Sequence, residues 1–306
     1  MSHYSIFLKI LYNKYIHRRC TISKIIDGKD LIAKIENEIT VNVAMLKKIG
    51  IVPSLAVIRV GENKASIAYS RSIMSKADSL GIYIEQHKLE GLISEKELIS
   101  VIQKINERKE INGILIELPL PQGISKETVL ETIDPDKDID GFHPINLGKL
   151  IAENPAFVPA TAQSIIETIK NSIHSIAGKN AVIIGRSNIV GKPVALLLLS
   201  ENATVTICHS YTKNLPEIAK TADILIVSIG RPKMINKNYI KEGAIVIDAG
   251  INKIEGKIVG DVDFDNVQNI VGQITPVPGN IGALTTLMLL KNTIKAAKIQ
   301  NKLDIS

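Results

Sequence analysis

A turn between an apolar segment and a helix is the clearest place in this sequence where residue types and spacing could do chemistry. Residues 181–184 are apolar, Gly185 follows them, and Gly191 and Pro193 stand at the expected start of a helix. Glycines let a backbone turn sharply and approach a ligand closely, and proline suits the first helical turn. The N–H groups and positive dipole end of such a helix bind phosphate. Two glycines separated by five residues are weaker than a full dinucleotide fingerprint, so the turn alone fits a phosphate site and an ordinary strand-to-helix connection equally well.

The residues around this turn indicate which nucleotide it would bind. Arg186 and Ser187 follow Gly185, and His209 and Ser210 end the next predicted strand. An arginine offers several donors to a phosphate. In a doubly wound sheet the second strand ends near the adenosine ribose, where an acidic residue would bind the free 2′-hydroxyl of NAD. No acid stands here, so the residues favour a ribose 2′-phosphate and hence NADP. The alternative is that Arg186 is solvated and Ser210 only caps the next turn.

Alternating helix and strand patterns predict the layered α/β fold that would position these residues. Helical periodicity covers about 29–48, 65–80, 94–108, 161–174 and 284–299. Strand-like apolar runs cover 54–60, 83–87, 113–118, 181–185, 204–208, 223–229 and 244–248. Successive strand and helix units predict parallel sheets, whose carboxyl-end loops carry the chemistry of such proteins. Loops rich in proline and glycine at 119–123 and 134–144 are expected at those ends.

Length and charge narrow the class of protein. The chain has 306 residues, enough for two domains, and 45% hydrophobic residues with no tryptophan, which is typical of aliphatic parallel sheets. The net charge is +6, but Lys9, Lys14, Arg18, Arg19 and Lys24 supply five positive charges before the first acid. The remaining chain is nearly neutral, so nucleic acid is not an expected partner.

The cysteines and the N-terminal segment indicate the subcellular compartment of the protein. Cys20 and Cys208 are isolated and show no metal-ligand spacing, so we predict a reducing compartment, no disulfide and no metal site. No apolar run reaches the length of a membrane span. Residues 1–24 lack acids and mix aliphatic with basic residues. They fit a disordered tail, a start codon assigned too early, or a mitochondrial presequence, so the cytoplasm is expected and the mitochondrial matrix is the alternative.

Several motifs in one order resemble a known family. They are Ile26-Asp-Gly-Lys29, Gly61-Glu-Asn-Lys-Ala-Ser66 with Tyr69, Leu118-Pro-Leu-Pro121, Asp136-Lys-Asp-Ile-Asp-Gly141, the Gly185 turn and Thr275-Pro-Val-Pro-Gly279. From about residue 25 to the C-terminus the chain resembles the bifunctional methylenetetrahydrofolate dehydrogenase/methenyltetrahydrofolate cyclohydrolase family. The resemblance implies a homodimer with a place in one-carbon metabolism and a folate cleft between two domains.

The resemblance also implies domain bounds and ligand-binding residues. We expect a basic extension at 1–24, an α/β folate-binding catalytic domain at 25–158 completed by a C-terminal helix at 284–306, and a Rossmann-like doubly wound NADP domain at 159–283. The implied NADP-binding residues are Gly185, Arg186, Ser187, Val190, Gly191, Ser210 and Ile251. The implied folate-binding residues are Tyr69, Ile73, Glu117, Asp140, Pro278 and Gly279.

Two positions depart from the family pattern where protons must move. In that family a tyrosine, a lysine four residues later, a glutamine and an aspartate line the folate site. Tyr69 and Asp140 match, but Ile73 replaces the lysine and Glu117 replaces the glutamine. Hydrolysis of the methenyl bridge needs a group that assists water attack, which isoleucine cannot do. Hydride transfer mainly needs alignment of two ligands, so the dehydrogenase reaction should tolerate the change better.

Two groups could compensate for the missing lysine. Glu117 could act as a carboxylate base, and Lys76 lies one helical turn beyond Ile73. The alternative for Lys76 is a solvated surface lysine. Catalytic candidates are therefore Tyr69, Asp140, Glu117 and, as a substitute, Lys76. His143 and His209 are expected to structure the cleft loop and to line the cofactor edge.

The sequence thus predicts an NADP-dependent methylenetetrahydrofolate dehydrogenase whose cyclohydrolase activity is weakened or carried by substitute groups. Two alternatives stay open. One is a family member that binds folate or NADP without catalysis, and the other is a dehydrogenase of another small substrate.

Overall fold

The computed structural model describes residues 24–304, so the predictions about residues 1–24 fall almost wholly outside it. The strands are β1 (Lys24–Ile25), β2 (Ser54–Val60), β3 (Tyr83–Leu89), β4 (Gly113–Ile116), β5 (Asn180–Ile184), β6 (Thr204–Cys208), β7 (Ile224–Val227), β8 (Ile245–Asp248), β9 (Asn252–Ile254), β10 (Lys257–Val259) and β11 (Gln273–Ile274). The helices are α1 (Lys29–Lys48), α2 (Lys64–Leu80), α3 (Glu95–Asn106), α4 (Lys126–Thr132), α5 (Pro144–Ile151), α6 (Ala160–Ser172), α7 (Gly191–Ser200), α8 (Leu215–Ala219), α9 (Phe264–Val267) and α10 (Asn280–Gln300). A short 3₁₀ turn covers Lys237–Tyr239.

The first part of the chain builds a parallel sheet in which β2 lies between β3 and β4. All seven residues of β2 are buried, because helices cover both faces of the sheet. Alternate side chains enter different cores: Leu55 and Val57 pack with α1, α2 and α10, whereas Ala56 and Ile58 pack with α3 and α4. This alternation determines which side chains of β2 and β4 reach the site described below.

The second part builds a parallel sheet of six strands within residues 24–304, in the order β1-β11-β8-β7-β5-β6. After β5 the chain crosses to β6 on one side and then returns to β7 on the other. The carboxyl ends of β5 and β7 therefore form a topological switch point, where doubly wound sheets bind nucleotides. The predicted α/β class with a Rossmann-like doubly wound domain is confirmed.

The two sheets are linked at both ends of the described chain. Strand β1 pairs with β11 of the six-stranded sheet, although the prediction assigns residue 25 to the first domain. Helix α10 returns to the first sheet, where Leu284, Leu287 and Leu290 enter the core shared with α1 and β2. This matches the packing expected for the C-terminal helix. The domain bounds themselves stay predictions. Across residues 24–304, no helix has the length and apolar character needed to cross a membrane.

Candidate active site

The Gly185 turn forms a tight cradle at the switch point of the six-stranded sheet. Gly185 has a φ of 136°, and a Cβ there would lie 2.5 Å from the carbonyl oxygen of Ser228 at the end of β7. A Cβ on Gly191 would lie 2.3 Å from the carbonyl oxygen of Gly185. Only glycine fits either position, because the obstructing atoms are backbone. The start of α7 is thereby held against the end of β5, where the N–H groups of Gly191 and Lys192 bond to Ser187.

Polar groups around this cradle leave capacity for a ligand. The Ser187 hydroxyl accepts the N–H groups of Val190 at 3.1 Å and Gly191 at 3.4 Å, which fixes the turn. The Ser228 Oγ is buried and has no hydrogen-bond partner among the described residues. Because a buried hydroxyl without a partner is unfavourable, the crevice suits a polar ligand such as a phosphate or a ribose.

Arg186 and the end of β6 provide a basic, exposed edge beside the cradle. The Arg186 guanidinium lies 5.6 Å from the ring centroid of Tyr211, and that ring contacts His209 edge-on at 6.1 Å between centroids. Ser210 is exposed. Arg186 is exposed too, and within residues 24–304 it forms no ion pair with a carboxylate. The structure brings Arg186 and the end of β6 together, as the sequence predicts, and leaves their donors accessible.

A buried carboxylate organises the loop after β8. Asp248 accepts the N–H groups of Gly250 at 2.9 Å and Val262 at 2.9 Å, and burial raises its pKa to about 6. These bonds hold the backbone on either side of Ile251, whose side chain is 71% exposed. The side-chain amide of Asn252 donates a hydrogen bond to Asp261 at 2.8 Å. A large apolar side chain held in solvent on an anchored loop is suited to contact a ring of a bound ligand.

A second group of ionisable side chains lies at the carboxyl end of β4. Glu117 is buried, and its Oε1 accepts a hydrogen bond from the Ser70 hydroxyl of α2. Its Oε2 is buried with no partner in the described part of the chain. Burial raises the pKa of Glu117 to about 7, although the positive charge of Arg59 opposes this. A carboxyl that titrates near neutrality and has an unused oxygen is equipped to accept a proton.

Tyr69 and Asp140 lie beside Glu117. Burial, together with the charges of Asp140 and Glu117, raises the pKa of Tyr69. Burial, and secondarily Asp138, raises the pKa of Asp140 to about 8. Tyr69 is 37% exposed, so its ring remains accessible to a ligand. The structure thus brings together three of the four predicted catalytic residues.

Ile73 and Lys76 lie apart from this group. Ile73 is fully buried in the aliphatic core, so its side chain offers no surface to a ligand. The Lys76 ammonium pairs with Glu36 of α1 at 2.6 Å. None of the hydrogen bonds or ion pairs among the described residues joins Lys76 to Tyr69, Glu117 or Asp140. Its role as a substitute base stays a prediction that this geometry does not favour.

Arg59 lies next to this group, but it belongs to none of the sequence motifs and is not among the predicted site residues. It is 6% exposed and stands in the otherwise apolar or small segment Ser54–Val60. A charge inside a buried strand is the signal in the sequence that could have found it.

His143 and the loop before α10 complete the surroundings. His143 caps α5, because its Nδ1 accepts a hydrogen bond from the Ile145 backbone N–H at 3.1 Å. The backbone N–H of His143 donates to the Asp138 carboxylate at 2.8 Å. This agrees with the structural role expected for it. Pro278 and Gly279 are exposed in the loop that joins β11 to α10. Across residues 24–304, no group of three or more histidine, cysteine and acidic side chains could hold a metal ion.

Two family models match the chain. The model described as tetrahydrofolate dehydrogenase/cyclohydrolase, catalytic domain, covers residues 26–140, and the model described as tetrahydrofolate dehydrogenase/cyclohydrolase, NAD(P)-binding domain, covers residues 159–301. The two matches leave out residues 141–158, which contain α5.

Individual proteins are similar over nearly the whole chain. The bifunctional protein FolD of Bacillus cereus is 50% identical over 278 residues, which cover 90% of this chain and 97% of that protein. The crystal structure of the bifunctional enzyme FolD from Campylobacter jejuni has a TM-score of 0.88 and 44% identity, covering 92% of this chain and all of that one. The Trypanosoma brucei methylenetetrahydrofolate dehydrogenase-cyclohydrolase, solved with NADP cofactor and inhibitor, has a TM-score of 0.87 and 36% identity, covering 92% and 99%.

Proposed function

This chain belongs to the tetrahydrofolate dehydrogenase/cyclohydrolase family, and we propose that it oxidises methylenetetrahydrofolate with NADP and then hydrolyses the methenyl bridge to formyltetrahydrofolate. The observation that carries the proposal is the group formed by Tyr69, Glu117 and Asp140, in which desolvation raises the carboxyl pKa values of Glu117 and Asp140 to about 7 and about 8. Bifunctional relatives support this interpretation over a non-catalytic binding protein or a dehydrogenase of another small substrate.

The residues around the Gly185 turn fit NADP. A pyrophosphate would lie beside this turn at the switch point, where the two glycines let the backbones of β5, β7 and α7 approach closely and the buried Ser228 hydroxyl has no partner among the described residues. Arg186 and Ser210 would hold the 2′-phosphate, with Ser187 and Val190 shaping the turn and Ile251 against the nicotinamide. When bound, NADP supplies the hydride acceptor for the oxidation.

Tyr69, Asp140, Pro278 and Gly279 would bind and orient the folate for that transfer. The exposed tyrosine ring offers a flat apolar surface for the substrate's aromatic rings. Asp140 would accept or donate hydrogen bonds at the edge of the pterin, since burial keeps its pKa at about 8. Alignment of this kind supplies much of the rate of a transfer between two bound ligands.

Glu117 would handle the proton in the hydrolysis. Its Oε2 has no partner among the described residues, and its pKa of about 7 leaves a substantial carboxylate fraction at neutral pH. The carboxylate would accept a proton from the attacking water, and its negative charge would favour the cationic methenyl substrate. Ile73 adds nothing to this step because it lies within the core.

The test measures both reactions in the wild type and in Glu117→Gln. The amide keeps the size of the carboxyl but cannot accept the proton, so hydrolysis should fall by roughly a hundredfold or more. Oxidation of methylenetetrahydrofolate should change by less than about threefold, because it needs no base at this position. Glu131→Gln removes a carboxylate from the exposed surface of α4 and serves as the control. Unchanged hydrolysis in Glu117→Gln would refute the assignment.

We also propose that the protein is a homodimer acting in the cytoplasm. Large apolar side chains are exposed on α1, in the connection that follows it and at the edge strand β3, namely Val41, Met45, Ile49, Val52 and Tyr83. Such a surface is typical of a subunit interface. Sedimentation velocity should give a dimer for the wild type and a monomer for Met45→Glu. A monomeric wild type at micromolar concentration would contradict the proposal.

The one described cysteine, Cys208, is a buried free thiol, which fits a reducing compartment.

A further inference from the structure

Arg59 is a buried charge that the proposed function does not use. Its side chain is 7% exposed, and its Nη2 pairs with Glu62 at 3.1 Å. Its Nε is buried and has no hydrogen-bond partner within residues 24–304. A buried guanidinium is unfavourable unless its donors are satisfied, so the unpaired Nε–H favours a bound polar partner such as water.

The strand register places Arg59 next to Glu117. Ile58 of β2 pairs with Ile116 of β4, and the Glu117 N–H donates to the Ile58 carbonyl at 2.9 Å. Successive side chains of a strand point to opposite faces of the sheet. Arg59 follows Ile58 and Glu117 follows Ile116, so both lie on the face opposite these isoleucines. That is the face of Leu55, Val57 and Leu115, which pack in the core that contains Ile73. Arg59 therefore brings a positive charge to the side of the sheet where the family's lysine is expected.

The two side chains leave complementary groups unused. Arg59 offers a free Nε–H donor, and Glu117 offers Oε2 as a free acceptor, both without a partner in the described part of the chain. No ion pair within 4.0 Å joins them among the described residues, yet the charge of Arg59 is near enough to lower the pKa of Glu117. A small polar molecule that accepts from one and donates to the other would satisfy both. Water is such a molecule.

We propose that Arg59 is a positioning residue for hydrolysis, which keeps Glu117 in its carboxylate form and, with it, orients the attacking water. This inference rests on the proposed function. The water oxygen bonds to the bridge carbon, one of its protons passes to Glu117 Oε2, and the C=N electrons return to nitrogen. As the adduct collapses, one C–N bond breaks, that nitrogen takes the proton from Glu117, and the new hydroxyl loses its proton to solvent as the formyl group forms. One proton is released overall.

The arginine and the glutamate divide the work that one lysine is expected to do in the family. An arginine stays protonated under all working conditions, so it supplies positive charge and a fixed donor but cannot take a proton. Glu117 supplies the proton acceptor that arginine cannot be. Ile73 then fills the space of the missing lysine with an apolar side chain.

The first test is the pH profile of methenyl hydrolysis in Arg59→Met and Arg59→Lys. In Arg59→Met the pH at which the hydrolysis rate reaches half its maximum, the midpoint of the profile, should be higher than in the wild type. Hydrolysis near neutrality should be roughly tenfold slower. Oxidation of methylenetetrahydrofolate should stay within about twofold, since the variant changes proton handling rather than folate alignment. Arg59→Lys should recover the midpoint. Arg108→Met, which removes an arginine that pairs with Glu85 of β3, should behave as the wild type. An unchanged midpoint and rate in Arg59→Met would overturn the proposal.

The second test does not depend on turnover, so it separates this inference from the proposed function. The Glu117 carboxyl is followed by carbon NMR in protein labelled at glutamate, with Glu117→Gln giving the assignment. Its pKa should rise in Arg59→Met and stay near the wild-type value in Arg59→Lys. Thermal unfolding checks that each variant is folded, and Arg59→Gln replaces Arg59→Met if the latter does not fold. A Glu117 pKa that does not move in a folded neutral variant refutes the role of Arg59, even if the wild type proves to hydrolyse nothing.

Discussion

Replacing Glu117 by glutamine should make the stability of this protein less sensitive to pH. Burial raises the pKa of Glu117 to about 7 in the folded protein, against an ordinary value of 4.5. Below 4.5 the carboxyl is protonated in both folded and unfolded chains. As the pH rises toward 7 the unfolded chain ionises first, so the wild type loses stability through this window.

The structure gives the size of the effect. One pH unit between the two pKa values corresponds to about 1.4 kcal/mol, so the full loss approaches about 3 kcal/mol above pH 7. Glutamine keeps the size of the side chain and its contact with Ser70 but cannot ionise. The free energy of unfolding of Glu117→Gln minus that of the wild type should therefore be about 2 kcal/mol larger near pH 8 than near pH 5.

Urea unfolding followed by circular dichroism at both pH values measures this difference. Glu131→Gln, on the exposed surface of α4, controls for the loss of one carboxylate. A difference in the free energy of unfolding between Glu117→Gln and the wild type that is the same at both pH values would contradict the raised pKa of Glu117. It would mean that Glu117 is already ionised near its ordinary pKa and is not poised to exchange a proton at neutrality.

Further variants test other parts of the site. Arg186→Ala should weaken NADP binding by about tenfold or more and NAD binding little, because we propose that the exposed guanidinium binds the 2′-phosphate, which NAD lacks; equal losses in a titration of both nucleotides would remove that role. Gly185→Ala should abolish NADP binding and lower the melting temperature, since its Cβ would lie 2.5 Å from the Ser228 carbonyl oxygen; normal binding in a calorimetric titration would show that the cradle is elsewhere. Lys76→Met should change stability by at most about 1 kcal/mol and leave the ratio of the two reaction rates unaltered, because a surface ion pair with Glu36 is all that the structure gives it; a selective loss of hydrolysis would make Lys76 the substitute base instead. Methenyl hydrolysis should rise with pH through about 7, as Glu117 becomes a carboxylate, and a rate independent of pH in that range would exclude this base.

Much of the fold could be predicted because its longest elements have strong periodicity. The helix expected at 29–48 is α1 with the same bounds, and the helix expected at 284–299 lies within α10. The Gly185 turn was also predictable, since glycine is required wherever backbone approaches backbone. Short elements such as α5 and the β9–β10 hairpin carry too few residues for a periodic signal.

The site was harder to predict because it depends on neighbours that are distant in sequence. Arg59 and Glu117 lie side by side only because β4 pairs with β2. Helical spacing alone placed Lys76 near Ile73, but Ile73 points into the core and Lys76 pairs with α1. The position of a residue along a helix predicts which face of the helix its side chain lies on. It does not predict which residue the charged end of that side chain will pair with.

We propose that one site performs both reactions, with Glu117 in place of the expected lysine and glutamine. The most direct measurement follows a single reaction of the purified wild-type protein with methylenetetrahydrofolate and NADP, recording NADPH, the methenyl intermediate and the formyl product together. We predict that NADPH and formyl product form in step while the methenyl compound stays low. Two results would contradict this proposal: NADPH forms while the methenyl compound accumulates and is hydrolysed only at the uncatalysed rate, or NADP binds and no NADPH forms.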